Sequence, residues 1–387
     1  MFYEQIAKEL EDLKASGSRF RQLATLRHAD ADRVLRDRSE LLNLSSNDYL
    51  GLAGDRELIE QFYARLSGDR LRPGSTSSRL LTGNHPGYDE LESLLADRYH
   101  REASLVFSSG YHANLGTLSS LAGRDDLILC DKLCHASLID GAILSRATMR
   151  RYRHGDMEHL AELLDRHAAA HRRTLIVTES VFSMDGDRCD LPALVALKKR
   201  HGAVLIVDEA HAVGVFGPTC LGLAEEEEMI AEVDLIVGTF GKALAGHGAY
   251  VVCDRLIRDY LINKARQLIF TTALPPVIVE WNHRIVDLLP QFRPRAIKLL
   301  ETARQFRELL TEAKIETRGN TQIVPAILGE NEAAVRASQA LESAGFLSLP
   351  IRPPTVPQGT ARLRFSLTAG MDIEQLRPII EIVGSRQ

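Results

Sequence analysis

A chain of 387 residues is long enough for one large domain and a smaller companion, and its composition, 45% hydrophobic and 26% charged, is that of an ordinary globular protein. A formal net charge of -5 at pH 7 argues against a general nucleic-acid binder, so an anionic substrate has to be met by a local basic patch. The opening stretch Met1-Phe-Tyr-Glu-Gln-Ile-Ala-Lys-Glu-Leu10 has no apolar core of signal-peptide length, and no apolar run reaches ~18 residues. The expectation is a soluble cytoplasmic protein with no membrane partner and no nucleic acid.

In chain order, residues 2–27 place Phe2, Ile6, Leu10 and Leu13 at helical spacing among charges and predict an amphipathic helix that ends in a basic segment from Arg19 to Arg27. Leu41-Leu-Asn-Leu-Ser-Ser-Asn-Asp-Tyr-Leu-Gly-Leu52 reads as a short strand running into a turn, and 56–66 as a helix. Residues 70–87 read as a long irregular segment, more often functional than idle in a compact chain. From residue 88 helices and strands alternate: helix 88–99, strand Ala103–Phe107, a helix opened by Ser109-Gly110, strand 127–130, a helix after His135, strand Thr174–Glu179, helix 192–200 and strand Val204–Asp208. That alternation implies an α/β fold, a mainly parallel sheet covered by helices on both faces. After Pro275-Pro276 a helical region, roughly 276–313, leads to shorter strands and helices at 323–328, 331–344 and 362–367, a smaller α+β domain. The run of glutamates at 225–228 reads as a solvated helix start. Cys130, Cys134, Cys189, Cys220 and Cys253 show no C-x-x-C spacing and lie in or beside apolar runs, which predicts buried free thiols rather than disulfides or a metal centre.

In parallel sheets ligands bind beyond the carboxyl ends of the strands. That rule selects Ser109 and Gly110, Ser183, Asp208 and His211, and Thr239 and Lys242. Lys242 lies in a glycine-rich turn between two apolar β-branched runs, 235–237 and Ala249–Cys253. Desolvation there disfavours the ammonium, and a neutral lysine is a nucleophile able to form a Schiff base with an aldehyde. Taken alone, the stretch favours a tight hairpin with a solvated lysine at its tip, and the rest of the chain has to decide. Asp208 ends a strongly apolar strand, where an unpaired carboxylate is costly and a cation such as a protonated pyridine nitrogen would account for it. Ser109-Gly110 at a helix start can present N–H groups to a phosphate, although serine is also an ordinary N-cap. Asp208-Glu-Ala-His211 spells a helicase box, but the phosphate loop that such a box needs is missing from the sequence. A zinc site from His211, His247 and Asp208 lacks a suitable ligand spacing. A Schiff-base lysine, a strand-ending aspartate, a nearby histidine and an anion-binding helix start together describe a pyridoxal 5'-phosphate (PLP) site.

The chain resembles the α-oxoamine synthases, a branch of the fold-type I (aspartate-aminotransferase-like) PLP-dependent transferases, over nearly its whole length. The matching segments are Ser46-Asn-Asp-Tyr-Leu-Gly-Leu52, Ser109-Gly-Tyr-His-Ala-Asn114, His135-Ala-Ser-Leu138, Val181-Phe-Ser-Met-Asp-Gly186, Asp208-Glu-Ala-His211 and Thr239-Phe-Gly-Lys242. The resemblance implies an N-terminal helix and arm (1–45), a large PLP-binding domain (46–275) and a linking helix with a small C-terminal domain (276–387). It implies that Lys242 carries the cofactor covalently and moves the α-proton, that Asp208 pairs with the pyridine nitrogen, and that His211 and Ser183 contact the ring hydroxyl. His135 stacks on the ring and helps position substrate, Gly110 and Tyr111 line the cofactor site, and Thr239 lies near the phosphate. Thr271 or Thr272 would reach a phosphate across a homodimer interface. Arg364 would bind the amino-acid carboxylate, and Thr355 would lie at the acyl-substrate site. Arg362 has the same strand parity as Arg364, so the choice between them rests on the family.

Ile351-Arg-Pro-Pro-Thr-Val-Pro357 and Arg362-Leu-Arg-Phe-Ser-Leu-Thr368 most resemble the members of the branch that act in biotin synthesis. These imply L-alanine and a pimeloyl thioester, on coenzyme A or acyl carrier protein, as substrates. Glycine C-acetyltransferases, 5-aminolevulinate synthases and serine palmitoyltransferases share the catalytic core. Non-catalytic partner subunits tend to lose the lysine, which is present here. The sequence departs from the family pattern twice. Pro73-Gly-Ser-Thr-Ser-Ser-Arg79 is poorer in glycine than the family's loop, and Phe20 falls where the arginine for the acyl substrate is expected, so Arg21, with Arg19 as the alternative, takes that place.

Overall fold

The computed structural model describes residues 1–15 and 23–384, so Arg19 and Arg21 lie outside the described residues. The chain forms two compact units. One comprises Asp48–Ser183 and Asp187–Lys298, and the other Met1–Asn47, Met184–Gly186 and Leu299–Gln387.

The first of these is built on a seven-stranded sheet. Its strands in chain order are β1 (Ala103–Phe107), β2 (Leu127–Asp131), β3 (Thr148–Tyr152), β4 (Thr174–Glu179), β5 (Val204–Asp208), β6 (Leu235–Thr239) and β7 (Ala249–Cys253). They lie in the order β1-β7-β6-β5-β4-β2-β3. β7 runs antiparallel to both of its neighbours, and the other pairs are parallel. Every residue of β1, β2, β4, β6 and β7 is buried, the signature of strands covered on both faces. On one face Leu105, Phe107, Ile128, Val177, Ile206 and Val237 pack against helices α1 (Gly110–Leu121) and α2 (Ala136–Ser145).

The edge strand β3 was not expected from the sequence. Its residues Thr-Met-Arg-Arg-Tyr are mostly half-buried or exposed and lack an apolar alternation, and charges on an edge discourage pairing with another chain. The segment expected to be irregular over 70–87 contains a π-helical turn at Arg79–Gly83, and a helix begins at Pro86. Arg79 holds it in place: it pairs with Glu92 at 2.6 Å and its guanidinium sits 4.0 Å over the Tyr88 ring. The single helical region expected over 276–313 is two helices, Pro276–Leu288 and Arg293–Glu312, separated by a 3-10 turn where Pro290 supplies no N–H. The glutamates at 225–228 are not merely solvated, because Glu225 accepts N–H bonds from Thr219 and Leu221.

The other unit has a three-stranded antiparallel sheet with Ala361–Ser366 in the middle, between Ile323–Gly329 and Pro350–Ile351. A second sheet joins Arg27–His28, Arg33–Arg36 and Ser39–Asn43 to Phe346–Leu347. The helix expected over 2–27 spans Phe2–Ala15 with none of its residues buried, and the end of that stretch is instead extended, with Arg27–His28 paired as a strand. All five cysteines are buried free thiols, and no described helix is long and apolar enough to cross a membrane.

Candidate active site

The carboxyl ends of β5 and β6 bring four of the expected residues together. β5 ends at Asp208, and the turn that follows carries His211. β6 ends at Thr239, and the chain turns through Gly241 and Lys242 before returning as β7. Phe240 N–H to Gly248 O at 3.0 Å and Gly246 N–H to Phe240 O at 2.8 Å close that turn. Lys242 Nζ lies 2.8 Å from His211 Nε2, and the Tyr49 hydroxyl lies 2.6 Å from His211 Nδ1. An ammonium only donates, so with Lys242 charged Nε2 accepts and Nδ1–H donates to Tyr49.

Asp208 sits in a second chain of hydrogen bonds. Its Oδ2 accepts from Asn114 Nδ2 at 2.7 Å and its Oδ1 from the Ala210 N–H at 2.9 Å. Asn114 Nδ2 also donates to Ser137 Oγ at 2.9 Å, and that hydroxyl is 2.8 Å from His135 Nδ1. Because His135 Nδ1 also accepts the Ser137 N–H at 3.2 Å, its proton resides on Nε2. Burial lowers the pKa of His135, Lys242 lowers it further and Asp208 opposes, so the ring is neutral at neutral pH. Glu179 is paired in register with Asp208 across β4 and β5, and its Oε1 accepts the His135 N–H at 2.5 Å. Burial first, then the neighbouring Asp208, pushes the Glu179 carboxyl well above the usual carboxylate range.

α1 begins where the strand-end rule places an anion site. Ser109 caps it, accepting the His112 N–H at 3.1 Å. A Cβ at Gly110 would make ordinary van der Waals contact with Thr239 Oγ1 at 3.8 Å, so the start of α1 lies directly against the end of β6. The hydroxyl of Tyr111 is turned to Asp140, and this residue is 43% exposed. Thr272 forms an isolated antiparallel bridge with Ser78, and Ala273 N–H donates to Ser77 O at 2.9 Å, which places the 271–272 segment beside that loop. Ser183 is half-buried in the turn that follows β4.

In the other unit Thr355 is exposed, and its N–H bonds to Arg352 O at 3.0 Å. Arg362 and Arg364 differ there in a way that strand parity could not reveal. Arg362 is fully buried in an ion pair with Asp185. Arg364 is 9% exposed and donates to Asn47 Oδ1 at 3.2 Å and to Ser366 Oγ at 2.6 Å. Arg362→Ala leaves the buried Asp185 carboxylate facing only the longer, more exposed contact with Arg318 at 3.8 Å among the described ion pairs, and is expected to cost about 3 kcal/mol of stability, read from the urea midpoint. Arg364→Ala should cost clearly less and instead raise the KM for the amino acid. Equal losses of stability would contradict the distinction.

Tyr49, Asn114, Ser137 and Glu179 were not assigned roles from the residues. Asn114 and Ser137 stand in the quoted motifs, four and two residues after Gly110 and His135, a spacing that could have suggested the same pocket. Tyr49 and His211 lie 162 residues apart, and nothing local joins them.

PLP fits these residues. Asp208 receives its bonds from neutral donors, which suits a carboxylate that must meet a protonated ring nitrogen. The Oδ1 of Asn114 beside it is buried without a partner. Lys242 could supply the amine and the first N–H groups of α1 could meet a phosphate, with Thr239 beside them donating its hydroxyl to Gly248 O at 3.1 Å.

The aminotransferase class I and II family matches residues 39–383. A protein of Chlorobaculum parvum named 8-amino-7-oxononanoate synthase is 51% identical over 377 residues, 96% of each chain. Among solved structures, Sphingomonas wittichii serine palmitoyltransferase superposes with a TM-score of 0.89 at 32% identity, over 99% of this chain and 96% of that one. The 8-amino-7-oxononanoate synthase of Francisella tularensis gives 0.75 at 29% identity, over 89% and 97%.

Proposed function

Since the chain belongs to the aminotransferase class I and II family, in the PLP-dependent α-oxoamine synthase branch, we propose that it condenses L-alanine with a pimeloyl thioester, with decarboxylation, to give 8-amino-7-oxononanoate, CO2 and the free thiol carrier. This is a step of biotin synthesis. The observation that carries the reading is Lys242 Nζ set 2.8 Å from His211 beside the strand-ending Asp208.

Bound PLP supplies an electron sink for the carbanion at the amino acid's α-carbon. Lys242 would hold the cofactor covalently through its amine and would move the α-proton, help worth ~10²–10⁴-fold. His211, backed by Tyr49, orients the lysine and meets the ring hydroxyl together with Ser183. Asp208, held by Asn114, keeps the pyridine nitrogen protonated. Neutral His135 would lie against the ring and offer its Nε2–H to the substrate. Gly110 and Tyr111 would line the site, Thr239 would turn its hydroxyl from Gly248 O to the phosphate, and Thr271 or Thr272 would serve the site of a second copy in a homodimer. Arg364 takes the amino acid's carboxylate, and Thr355 and Arg21 take the acyl substrate. The carrier is coenzyme A or acyl carrier protein, and the compartment is the cytoplasm.

The test is a visible spectrum of the PLP-loaded protein, titrated with L-alanine, then glycine, with pimeloyl-CoA added last. The expected result is a band that responds to alanine more strongly than to glycine and changes again with pimeloyl-CoA. A preference for glycine would move the reading to glycine C-acetyltransferase or 5-aminolevulinate synthase chemistry.

A further inference from the structure

His154 follows the edge strand β3, and both of its ring nitrogens face carboxylates. Nδ1 lies 2.9 Å from Asp131 Oδ1 and Nε2 lies 2.8 Å from Asp187 Oδ2. Carboxylates only accept, so both nitrogens donate and the ring is an imidazolium. Burial alone would lower its pKa, but the two carboxylates outweigh that and raise it to about 10.

Each carboxylate organises a different segment. Asp131 ends β2, and its Oδ1 accepts the Leu133 N–H at 2.8 Å, within the turn that delivers His135. Its other oxygen accepts the Gly155 N–H at 3.0 Å. Asp187 belongs to the hairpin over 181–188, closed by the Val181–Arg188 bridge and by Phe182 N–H to Asp187 O at 2.9 Å. Ser183 follows Phe182 there, and the His154 ring stands edge-on to Phe182 with centroids 4.4 Å apart. One cation is therefore shared between the segment that carries His135 and the segment that carries Ser183. Without it, two carboxylates would face each other across the vacated ring and push those segments apart.

We propose that His154 is a positioning residue for the cofactor site, fixing the His135 turn against the Ser183 hairpin so that both side chains meet the ring together. The inference rests on the roles proposed above for His135 and Ser183.

The experiment uses the full chain loaded with PLP and compares His154→Gln, Ser183→Ala and His135→Ala with the parent. It measures the visible circular dichroism of the bound cofactor, its dissociation constant by equilibrium dialysis, and the melting temperature of the cofactor-free protein. For His154→Gln the expected result is a weakened dichroic band and cofactor affinity reduced about tenfold, the size of one lost charged hydrogen bond. Melting should fall by no more than about 5 °C. Adding Asp187→Asn, which removes one of the two opposed charges, should restore most of the band. An unchanged band and affinity in His154→Gln, while the Ser183 and His135 variants disturb both, overturns the inference alone. No disturbance in any of the three overturns the proposed roles of His135 and Ser183, and the inference with them. Should His154→Gln fail to fold, Asp187→Asn by itself removes one ion pair at unchanged shape, and the same two readouts decide.

Discussion

Lys242→Ala is expected to abolish turnover, by at least ~10⁴-fold, and to remove the visible band of the lysine-bound cofactor. Two functions are lost in one substitution, the covalent attachment and the proton transfer at the α-carbon, and no neighbour can take them over. His211 lies against Lys242 at 2.8 Å, but its other nitrogen is engaged by Tyr49, and an imidazole forms no stable imine with an aldehyde. The fold should survive, because Lys242 is only half-buried in a turn whose closure is made by the backbones of Phe240, Gly246 and Gly248. The measurements are product formation, the visible spectrum and a thermal melt of the same preparation. Substantial product from this variant would sink the assignment of Lys242.

The second large effect is expected at Asp208. Asp208→Asn keeps the shape of the side chain and removes its charge. The amide can be accommodated if Asn114 turns over, bringing its Oδ1, which has no partner among the described residues, to the new donor and to Ser137 Oγ, whose hydroxyl then donates instead of accepting. Stability should therefore change little. Turnover should fall by about 10²–10³-fold, the usual loss when a preorganised electrostatic partner is removed from where charge develops. The fall should appear in kcat, because the affected step follows substrate binding. A kcat within about threefold of the parent would mean that Asp208 is not the partner of the pyridine nitrogen.

Local pattern and long-range pairing contributed differently to what the sequence made legible. The buried strands were visible as short β-branched runs, and the ends of β5 and β6 followed from them. The edge strand β3 was not visible, because Thr148-Met-Arg-Arg-Tyr152 carries charges that only an exposed edge position tolerates. The break at 289–292 was overlooked although Pro290 announces it. Arg362 and Arg364 share a strand face, and that Arg362 meets a carboxylate 177 residues away in its burial site is not legible from strand parity.

The sequence by itself determined the α/β class, the positions of Lys242, Asp208 and His211 at strand ends, and the kinship with PLP-dependent enzymes. Strand-forming runs, caps and turns are set by neighbours within a few residues, so these features need no knowledge of the fold. Only the tertiary structure decided that Tyr49 backs His211, that Asn114 holds Asp208 from 94 residues away, that Glu179 holds the backbone of His135, and that His154 joins Asp131 to Asp187. Those contacts join side chains far apart along the chain. Their partners are chosen by the order of strands in the sheet and by the scarcity of water between them, where each buried polar group must find its complement.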